Sequence, residues 1–312
     1  SFIDAAAESG ADAIKFQTHI AHAESTKDET FRIQMSGQDA TRYEYWKRME
    51  FKEEHWAGLF KHAFEKKITL LSSAFSVEAV QLLRKFDMPA YKVGSGEFKS
   101  TELLDAMIAT GKPVLYSTGM STYEEVSKAA DVFKSRKVPF GLFQCTSNYP
   151  TKMEDVGINV IDEYKTSHEC PVGLSDHTGT PYPSLMAMAK GADMIEVHVT
   201  FDKRLYGPDA VASVTFDELS MLCRARDAFD VMNHHPVNKD DMAERMMQMR
   251  GLFTKSIALK HDLPAGTVLS PDMLIPKKPG TGLPYTEKDK LIGKKLKHAV
   301  PSDRLLKPED FE

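Results

Sequence analysis

Short apolar runs separated by longer amphipathic stretches form the dominant pattern between residues 12 and 200. The runs are rich in β-branched residues and predict seven strands, at 12–18, 68–73, 90–95, 113–118, 139–146, 171–176 and 194–200. The stretches between them carry apolar residues at helical spacing, most clearly at 53–66, 77–86, 102–109 and 123–136. Alternating strands and helices indicate a parallel sheet with right-handed crossovers.

Polar side chains gather at the carboxyl ends of these strands. An open, doubly wound sheet is an alternative, but polar residues that converge on a single rim favour a (β/α)8 TIM barrel. The chain begins on an apparent helix, 2–9, so a closed barrel would require a further first strand that precedes Ser1. We therefore expect that this sequence lacks the first strand of the barrel.

The pattern changes after residue 232 and predicts three regions. Residues 1–232 form the barrel, 233–253 a polar, Met-rich linker with one helix, and 254–312 a separate small module. Within the module, His261-Asp262-Leu263-Pro264 is echoed by His298-Ala299-Val300-Pro301, which predicts a compact β domain with pseudo-twofold symmetry. The adjacent histidines of the linker, His234 and His235, are best explained as solvated residues.

Composition narrows the possible functions. With 40 basic and 45 acidic residues, the net charge of -5 shows no strong basic patch, which argues against a nucleic-acid partner. The three cysteines form no C-x-x-C pair, and no apolar stretch is long enough to span a bilayer. These features predict a cytoplasmic protein with small-molecule chemistry and no membrane partner.

Two lysines occupy positions where an apolar strand would not tolerate an unpaired cation. Lys15 and Lys92 each follow an apolar residue inside a predicted strand. They could bind an anion such as a phosphate or a carboxylate, or each could pair with Glu97 or Glu196. Hydroxyl groups on neighbouring strand ends support the anion: Ser95, Ser117, Ser147 and Ser175.

Two predicted strands lead into histidines, His177 and His198. On neighbouring strand ends these side chains could hold a divalent cation with open positions for substrate. Taken alone, His177 is better explained as a hydrogen-bonded core residue, and the pair together favours the metal. The segment Gly207-Pro208-Asp209 is typical of a turn.

Six motifs carry a resemblance to a known family, in order and in spacing. They are Lys15 to His19 (KFQTH), Tyr91 to Glu97 (YKVGSGE), Ser117 to Met120 (STGM), Cys145 to Pro150 (CTSNYP), Gly173 to Thr178 (GLSDHT) and Gly207 to Asp209 (GPD). Together they resemble the sialic acid (N-acetylneuraminate) synthase family, which includes legionaminate, pseudaminate and spore-coat polysaccharide synthases. The last module resembles that family's antifreeze-like β-clip (SAF) domain, most recognisably at 262–266.

The resemblance implies condensation of phosphoenolpyruvate with the aldehyde of an N-acetylated hexosamine to give a nine-carbon 2-keto acid and phosphate. The residues implied to hold phosphoenolpyruvate are Lys15, Lys92, Ser95, Ser117, Ser147 and Ser175. His177 and His198 would act in catalysis by ligating a divalent ion, Mn2+ before Mg2+ or Co2+. The residues implied to face the amino sugar are Gln17, Glu97, Tyr149 and Asp209. Glu97 is also a candidate proton carrier.

The chain departs from the family pattern at two places. The first strand, with its glutamate and Asn-His pair, has no counterpart, and Lys278 stands where many members carry an arginine that reaches the sugar. Lysine cannot reproduce a bidentate guanidinium contact, so the identity of the sugar stays open. The resemblance also implies a domain-swapped homodimer in which each tail caps the other barrel.

Two other functions remain as alternatives. A related synthase could use a phosphorylated aldose, although the SAF-like tail argues against it. A non-catalytic carbohydrate-binding or ice-binding protein would have no reason to keep two lysines and two histidines on buried strand ends.

Overall fold

The computed structural model describes residues 1–31 and 37–312, which divide into two compact units, Ser1–Asn233 and His234–Glu312. The first unit contains one sheet of eight parallel strands in chain order. They are β1 (Ala13–Thr18), β2 (Thr69–Ala74), β3 (Tyr91–Val93), β4 (Val114–Ser117), β5 (Phe140–Cys145), β6 (Val172–Asp176), β7 (Met194–Thr200) and β8 (Ser213–Thr215). This sequential, parallel order is that of a TIM barrel and confirms the predicted fold class.

The strand count of seven was wrong, because β8 was missed. It has three residues and runs directly into a helix that begins at Phe216, so it offers too few positions for an alternating pattern. In the described part of the chain, β1 and β8 are the two edges of the sheet. The expectation of a further first strand stays a prediction.

Helices follow the strands and cover the sheet. In the first unit they are α1 (Phe2–Glu8), α2 (Ala21–Glu24), α3 (Arg42–Met49), α4 (Glu53–Glu65), α5 (Val77–Leu83), α6 (Thr101–Ile108), α7 (Tyr123–Ser135), α8 (Ile158–His168), α9 (Tyr182–Ala189) and α10 (Phe216–His234, which ends at the start of the second unit). Capping is well developed in α7, where the side chain of Thr122 accepts a hydrogen bond from the amide of Glu125.

Contacts between side chains bring the two ends of the sheet together. The ring of Phe2, on α1 before β1, lies 4.9 Å from that of Phe201 and 5.7 Å from that of Phe216, at the start of α10. The Ser9 hydroxyl also donates to the carbonyl of Phe216 at 3.2 Å. These contacts join α1 to α10 and curl the sheet without a hydrogen-bonded ladder between β1 and β8.

Alternation along the strands separates a helix-facing core from a polar inner face. Tyr116 is fully buried and its ring lies 6.1 Å from that of Phe133 on α7, so this position of β4 faces the helices. The next residue, Ser117, must point to the opposite face. Ser117 contacts Lys92 there, which identifies the inner face as the polar one.

The second unit begins with the helices α11 (Lys239–Arg245) and α12 (Met247–Phe253) and continues with an antiparallel pair, β9 (Ser256–Leu259) and β10 (Leu274–Lys277). Leu263 and Val300, equivalent residues of the predicted repeat, pair with each other through two backbone hydrogen bonds, at 3.0 and 2.9 Å. The pseudo-twofold symmetry of the unit stays a prediction. Among the helices of the described residues, none is long and apolar enough to cross a bilayer.

Candidate active site

A cluster of charged side chains, with Lys92 buried and Lys15 and Glu196 partly buried, lies on the inner face of the sheet. The Lys92 ammonium is 3.2 Å from Glu196 Oε1, and the Lys15 ammonium is 3.6 Å from Glu196 Oε2. The Ser175 hydroxyl donates to the same Glu196 Oε1 at 2.9 Å, and Lys92 donates to the Ser117 hydroxyl at 2.5 Å. Three of the residues expected to hold an anion therefore contact one carboxylate, and a fourth, Ser117, joins them through Lys92.

The lysines were predicted either to bind an anion or to pair with a glutamate, and the structure shows that they pair with a glutamate. Both ion pairs that had been considered as alternatives to anion binding form with Glu196, whereas the Glu97 carboxylate accepts a hydrogen bond from Ser100 at 2.7 Å. Burial raises the pKa of Glu196, but the charges of Lys15 and Lys92 outweigh burial and hold that pKa far below its usual range. Two ammonium groups and one carboxylate leave an excess of one positive charge.

A cradle of small polar groups lies beside this cluster, after β3, β4 and β5. The Ser95 hydroxyl accepts a hydrogen bond from the amide of Gly119 at 3.2 Å and lies 3.5 Å from the Cys145 sulfur. A Cβ added at Gly119 would lie 2.4 Å from Ser147 Oγ and 2.7 Å from Ser95 Oγ. Only glycine fits this approach of backbone to two predicted phosphate-binding serines.

The histidine pair is close enough to act together. The rings of His177 and His198 lie 5.1 Å apart, and the Tyr149 hydroxyl is 3.2 Å from His177 Nε2. Burial, aided by the neighbouring His177, lowers the pKa of His198 to about 3, and burial also lowers the pKa of His177. Both imidazoles are therefore neutral at pH 7, which is the form that binds metals.

Backbone contacts determine which nitrogen of His177 is available. Its Nδ1 lies 3.1 Å from the Thr146 carbonyl, so Nδ1 donates a hydrogen bond and Nε2 carries the lone pair. The Thr151 hydroxyl donates to the same carbonyl at 3.0 Å, and its amide donates to the His177 carbonyl at 2.9 Å. Among the described residues, no three His, Cys, Asp or Glu side chains form a group that could hold a metal ion. Two neutral imidazoles could supply only two ligands of such an ion.

The residues expected to face the sugar are more scattered. Gln17 is exposed on the edge strand β1, and burial raises the pKa of Asp209 in the loop before β8. Within the described residues, no hydrogen bond joins Gln17, Glu97 and Asp209. Lys278 belongs to the second unit, where its ammonium lies 5.1 Å from the centre of the Phe253 ring.

Sequence reasoning missed several parts of the site. It assigned no role to Cys145, Gly119 or Thr151. The position of Gly119 could have been recognised, because a glycine just after a polar strand end often marks a close approach of the backbone. Nothing in the sequence indicates where Thr151 lies, because its contacts depend on how the loop after β5 folds back.

The fold and site define a TIM-like barrel protein whose inner face carries two lysines paired with one glutamate, beside a neutral histidine pair. The chain belongs to the NeuB family: residues 2–235 match the NeuB family model, and residues 254–312 match the SAF domain model.

Relatives and solved structures agree with this membership. N,N'-diacetyllegionaminic acid synthase of Legionella pneumophila is 33% identical over 99% of this chain and 88% of that protein. Human N-acetylneuraminate-9-phosphate synthase is 31% identical over 97% of this chain and 85% of that protein. The crystal structure of N-acetylneuraminic acid synthetase from Leptospira borgpetersenii, in complex with citrate, matches with a TM-score of 0.69 and 28% identity, covering 79% of this chain and 84% of that one.

Proposed function

We propose that the protein is a nonulosonic acid synthase that condenses phosphoenolpyruvate with the open-chain aldehyde of an N-acetylated hexosamine. The observation that carries the proposal is the charge cluster of Lys15, Lys92 and Glu196 next to the histidine pair. Ser175 and Glu196 each lie two residues before a histidine, His177 and His198, so anion site and histidines share neighbouring strands. The names of the two relatives given above, a diacetyllegionaminic acid synthase and an N-acetylneuraminate-9-phosphate synthase, support the same reaction.

The lysines, the serines and Glu97 each have a proposed role in this reaction. Lys15 and Lys92 neutralise phosphoenolpyruvate, and the hydroxyls of Ser95, Ser117, Ser147 and Ser175 orient its phosphate and carboxylate. C3 of phosphoenolpyruvate forms a bond to the aldehyde carbon, water adds to C2, and the C2–O bond breaks to release phosphate and leave a ketone. Glu97, in the loop after β3, is the candidate to carry the proton of that water.

A divalent ion fits between His177 and His198, with Mn2+ preferred over Mg2+ or Co2+. When bound there, it supplies a Lewis acid for the sugar aldehyde. Gln17, Tyr149 and Asp209 would hold the sugar on the same rim. Tyr149 is the best supported of the three, because its hydroxyl already contacts His177.

The test is phosphate release from phosphoenolpyruvate with a panel of N-acetylated hexosamines, diacetamido-trideoxy hexoses and a phosphorylated aldose, with and without Mn2+. We expect release with at least one N-acetylated sugar. Release only with the phosphorylated aldose would favour the related synthase, and release with no sugar would favour a binding protein.

The metal site has a separate test. His198→Ala should lose Mn2+ binding, measured by electron paramagnetic resonance without substrate, together with metal-dependent turnover. His261→Ala, at an exposed histidine of the second unit, is the matched control and should keep both. Unchanged Mn2+ affinity in His198→Ala would remove this residue from the ligand set.

We also propose a homodimer in which Lys278 of one chain serves the sugar site of the other. Lys278→Ala should then raise the sugar KM more than the phosphoenolpyruvate KM. Mixing inactive His198→Ala chains with Lys278→Ala chains at low sugar concentration should restore activity, because one site of the mixed dimer has both residues. No recovery from chains that sedimentation shows to have mixed would contradict the exchange.

A further inference from the structure

Glu196 has no assigned role in the proposed reaction, yet it contacts more of the anion-binding residues than any substrate-directed group considered above. Its carboxylate accepts hydrogen bonds from Lys92 and Ser175 and forms an ion pair with Lys15, and Lys92 connects it to Ser117. Its position on β7 keeps it on the same face as the histidine pair. The carboxylate of Glu196 is therefore shared by two lysines that come from different strands.

The charge count suggests what Glu196 does. Lys15 and Lys92 alone would present two positive charges in a largely buried site, where they would hold a phosphate dianion tightly. The carboxylate of Glu196 reduces this to an excess of one positive charge. It also leaves donors for an anion. Each ammonium has three N–H groups, of which Lys15 donates one to the Ser73 hydroxyl at 3.3 Å, and Lys92 donates one to Glu196 and one to Ser117.

We propose that Glu196 is an internal counter-anion that weakens binding of phosphate-bearing ligands, and so sets how readily product phosphate leaves the site. The inference rests on the proposed function for the identity of the product. The affinity it describes is a property of the cluster alone and can be measured without turnover.

Phosphate binding weaker than two lysines alone would give is compatible with fast turnover. Extra attraction for phosphate acts on substrate and product alike, so it lowers KM without accelerating the chemical step. It also retains the product. A negative charge fixed between the lysines costs some substrate affinity and speeds release, while it holds both ammonium groups in position by contacts of 3.2 and 3.6 Å.

The test uses inorganic phosphate as the probe on the full-length protein, with binding measured by calorimetry in the absence of sugar. Glu196→Gln keeps the size of the side chain and removes its charge, so we expect phosphate to bind about tenfold more tightly. In turnover assays, the inhibition constant for phosphate should fall by a similar factor and kcat should also fall.

Two further variants separate charge from structure. Glu196→Asp keeps the charge and should not tighten phosphate binding, and Asp162→Asn, in an exposed pair with Lys190, should leave it within twofold. Thermal melting verifies that each variant is folded. Phosphate affinity that is equal or weaker in folded Glu196→Gln would overturn the counter-anion role, whereas the synthase proposal fails only if wild-type protein releases no phosphate with any sugar.

Discussion

Glu196 in the first unit and Asp310 in the second are both carboxylates paired with cations, and their surroundings differ. In the first unit, Glu196 lies between Lys15 and Lys92, with 21% of its side chain exposed. In the second unit, Asp310 lies against Arg304, with 1% of its side chain exposed. The pKa of each carboxyl is lowered by its cations against the opposing effect of burial, to about 2 for Asp310.

The partners of Asp310 are rigid and local. Arg304 donates to both of its oxygens, at 2.7 and 2.8 Å, and the amide of Lys307 donates at 2.7 Å. His298 completes the set at 2.9 Å. All of these groups lie within residues 298–310, so the network joins the two ends of one short segment and uses both oxygens of Asp310.

The partners of Glu196 are flexible, single-point donors that come from distant strands. An arginine fork satisfies a carboxylate fully, whereas an ammonium keeps donors for a second acceptor. The comparison shows that a carboxyl group whose pKa is lowered by neighbouring cations does not by itself identify a functional site. Two features distinguish a binding site from a structural ion pair. One is whether the cations keep N–H groups that could bind a ligand, and the other is how far apart in sequence the partners lie.

The largest effect is expected at Lys92. Lys92→Gln removes a charged donor from the anion site, and kcat/KM for phosphoenolpyruvate should fall about a thousandfold, measured by phosphate release. Glu196 would remain paired with Lys15, so the melting temperature should change little. Lys190→Gln, in an exposed ion pair, is the control and should behave as wild type. Activity of Lys92→Gln within tenfold of wild type would contradict a functional role for the Glu196 cluster and leave it no different from the Asp310 network.

The converse change is Asp310→Asn, which should act on stability. Removing the charge leaves Arg304 poorly compensated, and the free energy of unfolding of the second unit should fall by about 3 kcal/mol. Amide hydrogen exchange in β9 measures this locally in the full chain. Asp289→Asn, at an exposed position of the same unit, should change it by less than about 0.5 kcal/mol.

The pH dependence of this effect has a definite sign. The pKa of Asp310 is about 2 in the folded protein against a reference of 3.8, so its contribution is fully present above pH 4 and is lost as pH falls towards 2. The stability difference between wild type and Asp310→Asn should shrink by about 2 kcal/mol over that interval. A difference that does not depend on pH would indicate that packing, and not charge, links Asp310 to its partners.

The smallest effect is expected at Gly119. Its Cβ in Gly119→Ala would press on Ser147 and Ser95, and the KM for phosphoenolpyruvate should rise about tenfold with little change in melting temperature. Gly58→Ala, on α4 where no atom lies within 4 Å of the added Cβ, is the matched control and should leave KM unchanged. Loss of stability in Gly119→Ala without a change in KM would make this loop structural, like the turn at Asp310.

Sequence patterning was sufficient for the architecture and for the type of chemistry at the rim. Polar residues that interrupt apolar strands, such as Lys92, are visible because burial of an unpaired charge is costly. β8 was invisible because three residues carry no period. The meeting of Lys92 with Glu196 was considered only as one of several pairings, because partners 104 residues apart are selected by strand order and not by local sequence.

The repeat of the second unit has a consequence for how that unit opens. Leu263 and Val300 are equivalent residues, and each donates its amide to the carbonyl of the other. This mutual pairing is what a local twofold relation between the two copies would give, and opening either copy at this point breaks both hydrogen bonds. We therefore expect the two copies to open together as one cooperative unit.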